Sequence, residues 1–281
     1  MAKASRAVLI TGCSTGIGRA TAERMATSGW TVYATARRLE SIADLAEKGC
    51  KLLALDVCDS ASMQAAVAAV EGAEGAVGVL VNNAGYGQEG AIESVSMADV
   101  RRQFETNVFG LLELTKLVLP GMRAQGWGRV INVGSMGGRM TFPGGGIYHA
   151  SKYAVEAISD ALRFEVRGFG IRVSLIEPGF IRTEWGETAI MSIGAEPESG
   201  PYAQFNHAVA ANVASAYSGP LARLSRGPEA VAAVIERAAG ARRPRTRYAV
   251  APSATLLIKT RRWLPDPVWD AFLRRQYPTP R

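Results

Sequence analysis

Short runs of consecutive apolar residues alternate with longer stretches in which apolar positions return every three or four residues. AVLITG (7–12), TVYATA (31–36), KLLALDV (51–57), VGVLVNNAG (77–85), RVINVGS (129–135) and RVSLIEPG (172–179) are the short runs. They are apolar at successive positions rather than at every second one, which marks strands of a parallel sheet covered on both faces. Helices are expected between them, over about 16–28, 40–48, 60–71, 97–123 and 147–166. Repeated strand–helix units of this kind predict an α/β, doubly wound parallel sheet with helices on both faces. Right-handed crossovers then leave few strand orders.

After Gly179 the rhythm breaks. Residues 184–226 are rich in Ala, Gly, Ser and Pro with scattered aromatics and methionines, and read as an irregular lid or binding loop. A helix follows at Pro228–Ala239, with proline in its first turn. RYAVA (247–251) is a candidate last strand. With no internal repeat and no clean linker, the 281 residues read as one domain with a C-terminal extension from about 252.

Composition narrows the class. Hydrophobic residues make up 48% and charged residues 20%, as in ordinary globular proteins. Cys13, Cys50 and Cys58 are irregularly spaced, which suggests neither a disulfide framework nor a metal site, and a reducing cytoplasm fits best. No apolar run approaches the ~20 residues of a membrane span. The net charge of +7 divides into −2 over residues 1–220 and +9 over 221–281. No recognisable nucleic-acid module accompanies the arginines, so no nucleic-acid partner is expected.

Two stretches carry chemistry. TGCSTGIG (11–18) follows the first strand and opens the first helix. Its glycines, 12, 16 and 18, permit a tight turn and let an anion approach the helix N-terminus. In IYHASKYAVEAISDALRFEV (147–166), Tyr148 lies four residues before Lys152, on the same helix face. A phenol is a poor base at neutral pH, with a pKa of about 10, and an adjacent ammonium favours its phenolate. The pair suits proton exchange with the oxygen of an alcohol or ketone.

Together TGCSTGIG, NNAG (82–85), TNVFG around Asn107, Ser135, Tyr148-x-x-x-Lys152 and EPGFIRT (177–183) resemble the short-chain dehydrogenase/reductase family, densely over about residues 5–183. The looser C-terminal part is similar to NADP-dependent hydroxysteroid and retinol dehydrogenase-like members. The resemblance implies a single Rossmann-type domain, NAD(P)-dependent oxidoreduction and a homodimer or homotetramer. It implies Asn107, Ser135, Tyr148 and Lys152 as the catalytic set. Tyr148 would be the acid/base, Lys152 its tuner and ribose contact, Ser135 the holder of the substrate oxygen, and Asn107 the anchor of a proton relay. Cofactor contacts are implied at Gly12, Ser14, Thr15, Gly16, Ile17 and Gly18, and at Asp56 and Val57 beside the adenine. Asn83, Ala84 and Gly85 fall on the adenosine side, with Pro178, Gly179, Ile181 and Thr183 toward the nicotinamide. His149 and Ser151, on another helix face, read as structural.

The second strand ends in Ala36, Arg37 and Arg38, without the carboxylate that would hold a ribose 2′-hydroxyl. Arginine can pair with a 2′-phosphate, so NADP(H) is favoured over NAD(H). The alternative leaves both arginines merely solvated. Tyr86, Met136, Met140, Phe142, Phe180 and Trp185 fall near the catalytic set in the family frame, and the lid adds Ile190, Met191, Tyr202 and Phe205. Such a pocket suits a lipophilic small molecule of steroid, retinoid or long-chain lipid type, unless these side chains simply pack the lid. A non-catalytic dinucleotide sensor or scaffold on the same fold is the competing class, and an intact Ser135, Tyr148 and Lys152 argues against it. An isomerase or dehydratase fits the glycine spacing less well. In the tail, LLIKTRRWLPDPVWDAFLRRQ (256–276), Val268, Trp269, Phe272 and Leu273 form one helical stripe. It can pack on protein or lie peripherally on an anionic membrane; the former is preferred, because amphipathic helices mostly bury their faces against protein.

Overall fold

The computed structural model describes residues 4–194, 200–218 and 220–280. Seven strands run parallel: β1 (Val8–Ile10), β2 (Val32–Ala36), β3 (Lys51–Ala54), β4 (Val79–Asn82), β5 (Gly128–Val133), β6 (Ile171–Pro178) and β7 (Arg247–Val250). Their order is β3-β2-β1-β4-β5-β6-β7. Val8 of β1 stands in register with Val32 on one side and Val79 on the other. The strand order therefore reverses between β1 and β4, which opens a crevice at the carboxyl ends of the strands.

The helices are α1 (Gly16–Thr27), α2 (Ser60–Glu74), α3 (Met97–Phe104), α4 (Gly110–Ala124), α5 (Gly146–Glu165), α6 (Trp185–Met191), α7 (Ala203–Ser218), α8 (Pro228–Gly240), α9 (Pro252–Trp263) and α10 (Asp266–Arg274). Successive strand residues feed opposite layers. Val8, Ile10, Val79 and Val81 pack with Met25 of α1 and Val231 and Ile235 of α8. Leu9 and Leu80 pack with Met63 of α2, Leu114 and Val118 of α4 and Leu162 of α5. Both faces are covered, which is why these strands read as unbroken apolar runs. β3 departs from the pattern: it is the edge strand, and Lys51 and Ala54 are exposed.

Three expectations change. The helix predicted over 40–48 is a 3-10 segment, Leu39–Leu45. The helix predicted over 97–123 is interrupted by a π-turn, Glu105–Phe109, between α3 and α4. The lid is not irregular, because α6 and α7 form within it, while 195–199 and Gly219 of that stretch lie outside the described residues. In the tail, Trp269 is only 5% exposed and packs with Met136, Met140 and Ala254, with Phe142 and Leu273 alongside. The stripe is thus turned against protein at Trp269 and Leu273, whereas Val268 and Phe272 stay exposed. Among the described residues, no helix is long and apolar enough to cross a membrane.

Candidate active site

A cavity of about 1100 Å³ opens where the strand order reverses. One wall is the turn from β1 into α1. Gly12 and Gly16 have φ of +72° and +58°, a left-handed backbone that side chains resist. Asn83, just past β4, braces this turn: its Nδ2 donates to the carbonyls of Thr11 at 2.9 Å and Gly12 at 3.1 Å. The Thr11 hydroxyl in turn accepts from the amides of Asn83 and Ala84, both at 2.9 Å. Ser14, Thr15, Gly16 and Ile17 line the cavity at the start of α1, where helix N–H groups favour an anion. Gly18 does not line it. It is buried against the Gly12 carbonyl and Asn83, where a Cβ would collide, so its smallness serves packing rather than contact. Cys13 is fully buried beneath the loop, and burial pushes its thiol up to about 12, which rules it out as a nucleophile.

At the end of β2, Arg37 and Arg38 are exposed on the cavity edge. No ion pair or side-chain hydrogen bond holds either guanidinium among the described residues. Asp56, Val57, Ala84, Gly85, Pro178, Gly179, Ile181 and Thr183 complete this half. The positive-φ cradle, the helix N-terminus and two unengaged guanidiniums fit a dinucleotide, including one with a 2′-phosphate.

The other wall holds the polar set. Tyr148 and Lys152 lie in the first two turns of α5, 8% and 7% exposed. The Lys152 ammonium donates to the Val133 carbonyl at 3.0 Å and lies 5.9 Å from the centre of the Tyr148 ring. Burial pushes the Lys152 amine down to about 8. Ser135, just beyond β5, lines the same wall and accepts from the Gly137 amide at 3.0 Å. Asn107 sits in the π-turn, 2% exposed, behind this wall rather than in it. Its Oδ1 accepts from the Tyr86 amide at 3.2 Å, and its Nδ2 donates to the Tyr86 carbonyl at 3.0 Å and to Ser151 Oγ at 3.1 Å. Ser151 and His149 are both hydrogen-bonded within the fold, and His149 also lines the cavity. The Phe142 amide donates to His149 Nε2 at 3.2 Å, so the proton is on Nδ1, which donates to the Gly137 carbonyl at 2.9 Å. Burial holds His149 down at about 4, neutral at any ordinary pH.

One turn after Lys152, Glu156 accepts from Arg247 Nε at 3.0 Å and Nη2 at 2.9 Å. Glu177 of β6 pairs with Arg139 at 3.0 Å. Burial and the nearby Glu177 push Glu156 up to about 7. This network ties α5 to β6 and β7 behind the polar set.

Tyr86, Met136, Phe142, Phe180 and Trp185 line the cavity, and the Trp185 ring centre lies 5.1 Å from that of Tyr148. Met140 does not; it is buried under Trp269 because the tail claims that side of the loop. Ile190, Met191, Tyr202 and Phe205 also fall outside the lining, and Met191 is 78% exposed. The lid contributes Val209, Asn212 and Val213 of α7 instead, and the tail contributes Gln276 and Tyr277. Sequence reasoning missed these residues and Glu89, which also lines the cavity. The Ala-rich AQFNHAVAANVASAYS was a helix signal for α7, but a single glutamate in a loop carries none.

The model of the family described as short chain dehydrogenase matches residues 6–191. The uncharacterized oxidoreductase YbbO of Escherichia coli is 35% identical over 96% of this chain and 94% of its own length. The 3-ketodihydrosphingosine reductase of Bacteroides thetaiotaomicron is 34% identical over 96% of this chain and 97% of its own. An NADPH-dependent 3-dehydrocapnine reductase of Ornithobacterium rhinotracheale is 35% identical over 94% and 95%. The crystal structure of a short-chain dehydrogenase from Streptomyces avermitilis superposes with a TM-score of 0.79 at 34% identity, over 96% of each chain.

Proposed function

The chain belongs to the short-chain dehydrogenase family and is an oxidoreductase; on that premise we propose that it is NADP(H)-dependent and interconverts a lipophilic alcohol and its ketone or aldehyde. The observation that carries this is one cavity lined both by the glycine turn with Arg37 and Arg38 and by Ser135, Tyr148 and Lys152. NADP(H), when bound, supplies or accepts the hydride. The Ser135 hydroxyl holds the substrate oxygen and Tyr148 gives or takes the proton there. The Lys152 ammonium makes the phenolate more accessible. Asn107 keeps the Tyr86 backbone and Ser151 in place behind them.

Two observations support NADP(H): the unengaged Arg37 and Arg38 on the cavity edge, and the NADPH dependence named for the Ornithobacterium relative. An apolar lining of Met136, Phe142, Phe180, Trp185, Val209 and Val213 supports a lipophilic substrate, as does the ketone named for the Bacteroides reductase. Large apolar side chains exposed on α4 and α5 and the turn before them, Phe109, Leu112, Tyr153 and Phe164, support self-association into a homodimer or homotetramer. Light scattering on the eluting protein measures that directly.

The test is a turnover screen with NADPH and NADH against aliphatic and steroidal ketones, sugars and hydroxy acids. NADPH-dependent reduction of the apolar ketones is the expected result. Turnover of sugars or hydroxy acids alone would refute the substrate class. Binding of NADPH with no turnover of any carbonyl would favour a sensor.

A further inference from the structure

Glu89 stands out on the substrate side of the cavity. It lies in the loop after β4, is 5% exposed, and lines the cavity. Its backbone is fixed: the amide donates to Ser192 Oγ at 2.9 Å and the carbonyl accepts from Gln88 Nε2 at 3.2 Å. Its carboxyl has no such partner. Among the described residues it makes no ion pair and no side-chain hydrogen bond. A buried carboxylate costs several kcal/mol unless a cation or strong donors compensate it.

The neighbours do not compensate it. A Cβ placed on Gly145 would be 3.0 Å from Glu89 Oε2 and 2.7 Å from His149 Nε2, so the imidazole is beside the carboxyl. That imidazole is neutral, and both its nitrogens are engaged with Phe142 and Gly137. The Lys152 ammonium, which donates to the Val133 carbonyl, forms no ion pair with the Glu89 carboxyl. Tyr277, which also lines the cavity, has its phenol pushed up to about 12 by burial and by the Glu89 charge, so it stays a neutral hydroxyl. Burial pushes the Glu89 carboxyl itself up to about 8.

We propose that Glu89, in the cavity that Tyr277 also lines, is a specificity-determining subsite for a basic amine carried by the same molecule as the reacting alcohol or ketone. This deepens the proposed function and rests on it for the position of the reacting carbon. An ammonium supplies the missing charge and makes charge-assisted hydrogen bonds to the carboxylate. A substrate hydroxyl can pair with the carboxyl only as a neutral partner and brings no charge to it, and an alkyl group leaves it unpaired. The rest of the substrate then lies along Met136, Phe142 and Val209 toward Tyr148.

The test separates binding from turnover. Dodecylamine and dodecanol are titrated by calorimetry into the NADP+-loaded wild-type protein and into Glu89→Gln, which keeps the size and removes the charge. Dodecylamine is expected to bind wild type at least about tenfold tighter than dodecanol, and the preference to collapse to within about threefold in Glu89→Gln. In parallel, C12 secondary alcohols with a primary amine two, three or four carbons from the carbinol are oxidised with NADP+, each against its desamino counterpart. At least one amino alcohol should show the higher kcat/KM, through KM, and lose that lead in Glu89→Gln. Equal affinity of wild type for the amine and the alcohol overturns the inference, even if plain ketones are reduced as proposed. Glu89-dependent amine binding with no turnover of any alcohol or ketone upholds the subsite and overturns the proposed reaction. Should Glu89→Gln fail to fold, the amine-to-alcohol ratio of the wild type alone decides.

Discussion

A single oxygen atom separates Tyr148 from phenylalanine. The ring is wedged between His149 and Trp185, with centroid distances of 5.5 and 5.1 Å, so its removal would disturb the cavity while loss of the hydroxyl alone would not. Tyr148→Phe is therefore expected to lose at least ~10³-fold in kcat while NADPH still binds, measured by turnover and by cofactor fluorescence titration. A variant that keeps more than a tenth of the wild-type rate would remove Tyr148 from the chemistry. Arg37 and Arg38 allow a cleaner comparison, because nothing in the fold depends on them. Both are exposed, and neither guanidinium is engaged by another described side chain. Replacing both with alanine should weaken NADPH relative to NADH by about 2–4 kcal/mol and leave the melting temperature almost unchanged. Equal loss of both cofactors would mean that these arginines do not read the 2′-phosphate.

At the scale of elements, the site depends on two chain breaks meeting. β4 ends at Asn82, and the π-turn bulges Asn107 inward between α3 and α4. Between them Gly85 has no room for a side chain: a Cβ there would be 2.9 Å from Asn107 Oδ1 and 3.8 Å from Lys152 Nζ. Gly85→Ala should therefore cost at least about tenfold in kcat, by displacing Asn107. It should leave the far-UV circular dichroism spectrum intact; wild-type kcat in this variant would show that the contact can relax harmlessly. The strands flanking this junction were legible because two covered faces write an unbroken apolar run. The Tyr148–Lys152 pair and the glycine turn were legible because their spacing follows from local geometry, whereas Asn107 and Ser135 came only from the resemblance to the family. The π-turn was not, since 97–123 has helical periodicity throughout and the extra residue is set by what Asn107 reaches across the cavity wall. The lid helices were obscured by the glycine and proline content around them. Glu89 was invisible because its significance lies in burial without a partner, which no spacing encodes.

For the whole molecule, the question is how the last thirty residues come to complete a cavity built mainly by the first 190. The tail reaches the cavity mouth through Gln276 and Tyr277, where Asn212 of α7 donates to the Gln276 carbonyl at 2.9 Å and Phe205 stacks near Tyr277 at 6.2 Å. These contacts are few and lie at the surface, so the anchor must be elsewhere. It is Trp269, buried on Met136 and Met140, 5.9 Å from the Phe142 ring, with the Arg261 guanidinium 5.6 Å from its own. Truncating a buried tryptophan to alanine costs about 3–5 kcal/mol through lost transfer energy and the cavity left behind. If the tail melts with the body of the protein, Trp269→Ala should lower the melting temperature by several degrees. If the tail opens locally first, the shift is smaller but the cavity loses its Tyr277 edge. In both cases KM for a lipophilic substrate should rise severalfold while KM for NADPH changes little, because the half of the cavity built by α1 and β2 receives no tail residue. Steady-state kinetics alongside thermal melts read both quantities. Unchanged substrate KM together with an unchanged melting temperature would show that α10 merely rests on the surface; a parallel rise in both KM values would show that it holds the whole sheet edge rather than the substrate end.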